Sequence, residues 1–217
     1  MKLSQNDTLL FIGDSITDCG RVRPVGEGGF GQLGSGYVAQ VDALLSAVYP
    51  QLNIRVLNTG IGGNTVRHLK ERWESDVLDL KPDWLSIMIG TNDVWRQFDR
   101  PQNPDQHVYL DEYEATLREL VQTTRPKLKG LVLMTPYYLD PNVNDPMRAT
   151  MDVYGAVVKK VAEEFDAIFV DTQAAFDALS EHVYLSSLAT NWDRVHPGSR
   201  GHMTLAREFL KAVGFSW

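Results

Sequence analysis

Short apolar runs rich in β-branched residues alternate with longer amphipathic stretches along the whole chain, and this alternation narrows the choice of fold more than any other feature. The runs at 8–12, 54–57, 84–89, 130–134 and 167–170 read as buried strands, because they are too short for helices and are apolar at consecutive positions. The segments between them carry helical spacing. Residues 37–48 place Val38, Val41, Leu44, Leu45 and Val48 on one face. Residues 111–124 begin acidic, group Tyr113, Leu117, Leu120 and Val121, and stop before Arg125 and Pro126. Residues 147–165 and 199–213 repeat the pattern. Five β-then-α units of this kind predict an α/β fold with a parallel, doubly wound sheet. No repeat, low-complexity tract or linker interrupts the pattern, so residues 1–217 are expected to form one domain. A domain of that length buries a continuous core without disulfides or metal.

Charge and cysteine usage remove several function classes. The formal net charge is −7 and no Lys/Arg-rich run occurs, which argues against nucleic-acid binding through phosphates. The one cysteine, Cys19, excludes an intramolecular disulfide framework and a cysteine-based zinc site. Nothing near Cys19 marks it as a reactive thiolate, so it is expected to be a partly buried structural thiol. His68, His107, His182 and His202 lack metal-ligand spacing, and His202 is expected on the last helix. Neither metal nor cofactor is expected. The apolar run at 8–12 is too short for a signal peptide, and no stretch approaches the ~20 residues of a membrane span. A cytoplasmic protein without membrane contact is the expectation.

In open α/β sheets, ligands bind outside the carboxyl ends of the strands. Gly13-Asp14-Ser15, the glycine- and asparagine-rich stretch 58–64, and Gly90-Thr91-Asn92-Asp93 all fall there. A serine hydroxyl becomes a nucleophile only with a base in hydrogen-bond reach and a third group to orient that base. Asp193-Arg194-Val195-His196-Pro197 supplies both, because Pro197 holds His196 extended and the Asp193 carboxylate can take the Nδ1 proton. The glycines at 60, 62 and 63 let main-chain N–H groups approach a ligand, and Asn92 offers a neutral side-chain N–H. Each residue also has a local structural use. Ser15 and Asn92 could cap helices, Asp193 and His196 could sit on the surface, and the glycines could serve a tight turn.

Taken together, Ser15, Gly63, Asn92 and His196 appear in the order, and inside the sequence blocks, of the SGNH (GDSL-type) hydrolase family, which the chain resembles. The blocks read Gly-Asp-Ser-Ile, Gly-Thr-Asn-Asp and Asp-Arg-Val-His-Pro, and they span Gly13 to Pro197. The resemblance implies a flavodoxin-like three-layer α/β/α sandwich with a five-stranded parallel sheet. It implies a Ser15–His196–Asp193 triad, an oxyanion hole of the Ser15 and Gly63 N–H groups with the Asn92 side chain, and ester hydrolysis without a cofactor. Asp14 and Asp93 are expected to organise the loops around these groups. The stretches 11–23, 86–97, 107–118 and 192–197 are similar to those of bacterial intracellular acetylxylan esterases. That likeness implies small acetylated carbohydrates as substrates and a homo-oligomer as the assembly. Two alternatives stay open: a thioesterase or lysophospholipase acting on longer acyl groups, and a flavodoxin-like nucleotide-binding module. The second lacks a Gly-x-Gly-x-x-Gly after the first strand and a Walker-type lysine.

Trp95, Arg96, Gln97 and Phe98, with Trp192, form either a sugar-stacking wall beside the site or a set of core and subunit contacts. The stretch 95–109 is expected to be irregular, and its Trp95, Phe98, Tyr109, Arg96 and Arg100 suit a subunit contact. The tail aromatics Phe215 and Trp217 either dock on their own domain or meet another subunit.

Overall fold

The computed structural model describes residues 1–216, and Trp217 lies outside the described residues. One sheet organises the chain. Its strands are β1 (Thr8–Gly13), β2 (Gly26–Glu27), β3 (Arg55–Asn58), β4 (Trp84–Met88), β5 (Gly130–Met134) and β6 (Ile168–Val170). They lie in the order β2-β3-β1-β4-β5-β6. All pairings are parallel except that of β2, a two-residue strand running antiparallel to β3. The five parallel strands are those expected from the sequence, each shifted by a residue or two at most. Counted alone they follow the second-first-third-fourth-fifth order of flavodoxin-like folds.

The helices are α1 (Ser15–Asp18), α2 (Tyr37–Val48), α3 (Val66–Glu71), α4 (Thr91–Asp99), α5 (Leu110–Thr124), α6 (Pro146–Glu164), α7 (Thr172–Ser180) and α8 (Ser199–Ala212). α2 packs against α8 and α8 against α7 on one face, while α3, α5 and α6 pack side by side on the other. Helices on both faces bury both sides of the sheet, which explains why β4 and β5 are buried at every residue and read as unbroken apolar runs. α6 begins at Pro146 because Asp145 caps it, its carboxylate accepting the Met147 and Arg148 N–H groups at 2.9 and 3.0 Å. Among the described residues, no helix is long and apolar enough to cross a membrane.

The structure corrects one boundary of functional weight. The segment expected to be irregular from residue 95 is helical as far as Asp99, within α4. The buried first turn of α4 is the polar set Thr91, Asn92 and Asp93, and the helix starts after Gly90, whose φ of 125° breaks it from β4, so no apolar stripe announces it. The shorter helices α3 and α7 escape the sequence for a related reason. α3 buries only Val66 and Leu69, and α7 only Thr172, Gln173 and Phe176. At the chain end, Phe215 docks on its own fold, its ring 5.3 Å from that of Tyr49 and its N–H on the Leu210 carbonyl.

Phe11, at the centre of β1, is fully buried between Tyr37 of α2 and Phe209 of α8, with ring centroids 5.6 and 4.8 Å away. Phe11→Ala removes this contact from both helices. It should lower the unfolding free energy by about 3–5 kcal/mol, measured by urea denaturation.

Candidate active site

Strand β1 ends at Gly13, where no side chain fits: a Cβ would stand 2.4 Å from both the Met88 carbonyl of β4 and the Thr17 hydroxyl. The chain then turns at once into α1, capped by buried Asp14, whose carboxylate accepts the Ile16 N–H at 2.9 Å. Ser15 is therefore the first helical residue. Its N–H has no acceptor among the described residues.

His196 reaches this serine across a sequence separation of 181 residues, with Ser15 Oγ to His196 Nε2 at 2.9 Å. Its Nδ1 lies 2.6 Å from Asp193 Oδ2. The other oxygen of Asp193 accepts the main-chain N–H groups of Val195 and His196 at 2.8 and 3.0 Å. Burial pushes the Asp193 carboxyl up, but the hydrogen bonds from the His196 ring and from these two N–H groups outweigh it and leave the pKa lowered. The carboxylate stays ionised, so the Nδ1 position carries the ring proton and Nε2 faces Ser15 with its lone pair. Tyr137 OH donates to the Val195 carbonyl at 3.1 Å, and the Leu139 N–H donates to that of Arg194 at 2.9 Å. These bonds tie the loop to the segment beyond β5. The Trp95 ring stands edge-on to His196 at 5.9 Å, and Arg96 stacks 4.5 Å over Trp95.

On the β3 side, the loop 60–64 is held from every direction. Gly62 donates its N–H to Asp18 Oδ2 at 3.0 Å, and Arg23 holds that carboxylate through both terminal nitrogens. Arg21 Nε donates to the Gly60 carbonyl at 2.8 Å. Arg72 donates to the Asn64 side chain at 2.8 Å, the Thr59 carbonyl at 2.6 Å and the Gly13 carbonyl at 3.2 Å. One guanidinium thus joins the ends of β1 and β3 to the glycine loop. Gly63 sits at φ 78°, where glycine is favoured, and its N–H has no acceptor among the described residues. Asn92 spends one amide hydrogen on the Asn64 carbonyl at 3.0 Å and accepts from Arg96 at 3.0 Å, which leaves its second hydrogen free.

The structure therefore brings Ser15, Asp193 and His196 into one hydrogen-bonded line and sets Gly63 and Asn92 in adjoining, mutually bonded loops. Trp95 and Arg96 sit beside the imidazole. Trp192 does not join them; it is 93% exposed and makes no ring contact among the described residues. Asp18, Arg21 and Arg72 carry no motif or period in the sequence that marks them, because the loop groups they hold lie in other segments of the chain.

A cavity of about 400 Å³ opens onto Ser15 and His196, with Cys19, Ser35, Thr190 and His202 in its wall. Cys19 is half-buried, as expected, and burial pushes its thiol up. His202 accepts the Tyr37 N–H on Nδ1 at 3.2 Å, so its Nε2–H points at Cys19 Sγ, 3.1 Å away. No group of three His, Cys, Asp or Glu that could hold a metal occurs among the described residues.

Residues 11–203 match the GDSL-like lipase/acylhydrolase family. The chain belongs to that family. Among its GDSL-like relatives, an acetylxylan esterase of Geobacillus stearothermophilus is 64% identical, aligned over 100% of this chain and 98% of the relative. The solved structure of that enzyme superposes with a TM-score of 0.98, again covering 100% and 98% of the two chains. Its solved variants include three described as catalytic mutants, with a serine, an aspartate or a histidine replaced by alanine. An alpha/beta hydrolase from the metagenome of Lake Arreo, Spain, is 50% identical with a TM-score of 0.96, over 99% of this chain and 98% of that one. More distant is the thioesterase 1/protease 1/lysophospholipase L1 of Escherichia coli (strain K12), 27% identical over 88% of this chain and 76% of that protein.

Burial pushes the pKa of His202 down to about 4, helped by the nearby His196. Its folded value lies below the ordinary ~6.5, so the stability contributed by the neutral ring is complete above about pH 6.5 and is lost as pH falls toward 4. Asp14 and Asp93, raised by burial to about 6 and about 7, act in the opposite sense, losing stability as pH rises through those values. The difference between parent and variant isolates His202. In urea unfolding, His202→Gln should lose less stability than the parent between about pH 7 and about pH 5.

Proposed function

We propose that this chain is a serine esterase that removes acetyl groups from carbohydrates, with acetylated xylo-oligosaccharides as its substrates. The observation that carries the reading is the line Asp193–His196–Ser15, lying beside two main-chain N–H groups and one amide hydrogen without acceptors. The substrate class is supported by the acetylxylan esterase of Geobacillus stearothermophilus at 64% identity over the full chain.

In this reading Ser15 Oγ attacks the acetyl carbonyl carbon as His196 Nε2 takes its proton. Charge develops on the carbonyl oxygen, where the Ser15 and Gly63 N–H groups and Asn92 Nδ2 receive it. The imidazolium, held and neutralised by Asp193, then protonates the departing sugar oxygen and leaves an acetyl ester on Ser15. Water, deprotonated by the same ring, attacks that ester; acetate leaves and Ser15 regains its proton. Asp14 and Asp93 support the loops and take no part in proton transfer.

The cavity offers hydrogen bonds to a sugar. Its wall carries the hydroxyls of Ser35, Thr190 and Ser199 and the His202 imidazole beside Ile16 and Pro197, so polar groups that can meet sugar hydroxyls stand among apolar ones. Trp95 and Arg96 give one flat stacking surface beside the imidazole. Ser15→Ala should fold normally and lose about 10⁴-fold or more of the acetate release from acetylated xylo-oligosaccharides. A fluorophosphonate should label Ser15 in the parent. Parental turnover in Ser15→Ala overturns the mechanism; faster turnover of long-chain esters than of acetyl esters would favour the thioesterase or lysophospholipase reading.

Self-association of the chain in the cytoplasm belongs to the same proposal. Phe30, Trp192 and Tyr184 are 105, 93 and 89% exposed, and aromatic residues left this open are the kind that subunit contacts bury. Light scattering should give a mass well above 24.4 kDa. A monodisperse monomer at micromolar concentration removes the assembly from the proposal.

A further inference from the structure

Asn92 and Asp93 are consecutive residues in the first turn of α4, and both reach the same short stretch beyond Gly63. Asn92 Nδ2 donates to the Asn64 carbonyl at 3.0 Å, and Asp93 Oδ1 accepts the Val66 N–H at 3.0 Å. The two bonds run in opposite senses and form a two-point latch between the α4 turn and the stretch leading from the glycine loop into α3. Neither point can slide without breaking the other. The latch therefore sets the distance between the Gly63 N–H of the glycine loop and the Asn92 amide of α4.

The second point of the latch has an unusual charge problem. Asp93 is fully buried, and its Oδ2 has no hydrogen-bond partner in the structure. A buried carboxylate with one bare oxygen is costly, whereas a neutral carboxyl costs far less and still accepts the Val66 N–H through its carbonyl oxygen. No neighbour neutralises it. Asp14 faces it from the β1–α1 junction, and Glu112 from α5, both with negative charge. Arg67 of α3 is bound to Glu112 through two bonds of 2.8 Å each. Tyr113 of α5 donates its hydroxyl to the Ile89 carbonyl, and Tyr154 of α6 donates its hydroxyl to that of Val108. Burial, with Asp14 and Glu112 behind it, pushes the Asp93 carboxyl up to about 7.

We propose that Asp93 is a positioning residue of the esterase that works as a neutral carboxylic acid, fixing the spacing of the oxyanion donors, and that its ionisation weakens them. The inference rests on the serine-esterase reading. A negative charge adjacent to Asn92 opposes the charge that develops on the substrate oxygen, so turnover falls on the alkaline side while substrate binding does not.

The test is kcat and KM of the full-length parent, Asp93→Ala, Asp93→Asn and Ser15→Ala on an acetyl ester, from about pH 6 to about pH 9. Asp93→Ala should lower kcat by about 10–100-fold with KM within about twofold, because a misplaced donor costs the transition state and not the ground state. Asp93→Asn keeps the acceptor for Val66 and is neutral at every pH. It should restore kcat to within about threefold of the parent near neutrality and remove the parent's alkaline decline. The inference is overturned if Asp93→Ala keeps parental kcat, if Asp93→Asn is as impaired as the alanine variant, or if Asp93→Asn retains the alkaline decline. Should the alanine variant fail to fold, the pH profile of Asp93→Asn alone decides. Ser15→Ala separates the two levels: its full activity would remove the esterase reading. An inactive Ser15→Ala beside an unaffected Asp93→Ala would remove only the role of Asp93.

Discussion

β1 lies between β3 and β4 and runs parallel to both, so the three strands finish on one edge of the sheet. Everything at the site hangs from those three ends. Ser15 follows β1, the glycine loop follows β3, and Asn92 follows β4. At this point successive connections leave in opposite directions along the sheet, which opens a crevice that neighbouring loops cannot fill. The close approach of Gly13 to the Met88 carbonyl brings the β1 and β4 ends together, and Arg72 joins the β1 end to that of β3. A rigid sheet edge allows a hydroxyl, an imidazole and three N–H donors to hold their relative places before substrate arrives.

Polar groups do this positioning, and several of them are buried, which makes their satisfaction decisive. Three of the five loop residues at 60–64 have no side chain to pack, and the stretch from Gly60 to Val66 is held by hydrogen bonds to Asp18, Arg21, Arg72, Asn92 and Asp93. Asp18 is buried but held by Arg23, and its pKa falls although burial alone would raise it. Asp93 has no such cation, and its pKa moves the other way. Two aspartates hold the same loop, then, and the presence or absence of one guanidinium decides which of them carries charge.

The alternation of strand and helix, the strand positions and the four longest helices were legible in the sequence. Each comes from local physics: runs of β-branched residues, one apolar face per helix, and a proline or an acidic cap at the boundaries. The candidate site residues were legible too, because Ser15, Asn92 and His196 follow strands or precede a helix inside short blocks of distinctive composition. α4 was not, since a short helix whose first turn is occupied by Thr91, Asn92 and Asp93 carries site residues where a structural helix would carry an apolar stripe. Trp192 shows a different limit. Its place beside Asp193 in the chain allowed either a stacking wall or a subunit contact, and the fold leaves its side chain exposed to solvent, open to both.

By itself, then, the sequence determined the class of fold, the edge of the sheet where the candidate site gathers and the residues that compose it, because those depend on short-range pattern and residue type. Only the tertiary structure decided which polar groups hold which. The Ser15–His196 bond, the bonds of Arg72 to the Thr59 and Gly13 carbonyls and the pairing of Asp93 with Val66 join residues brought close by the order of the strands. Their charge states followed from the same source. Whether a carboxyl is ionised depends on the water it has lost and the donors it has met, and both are settled when the strands and helices close around it.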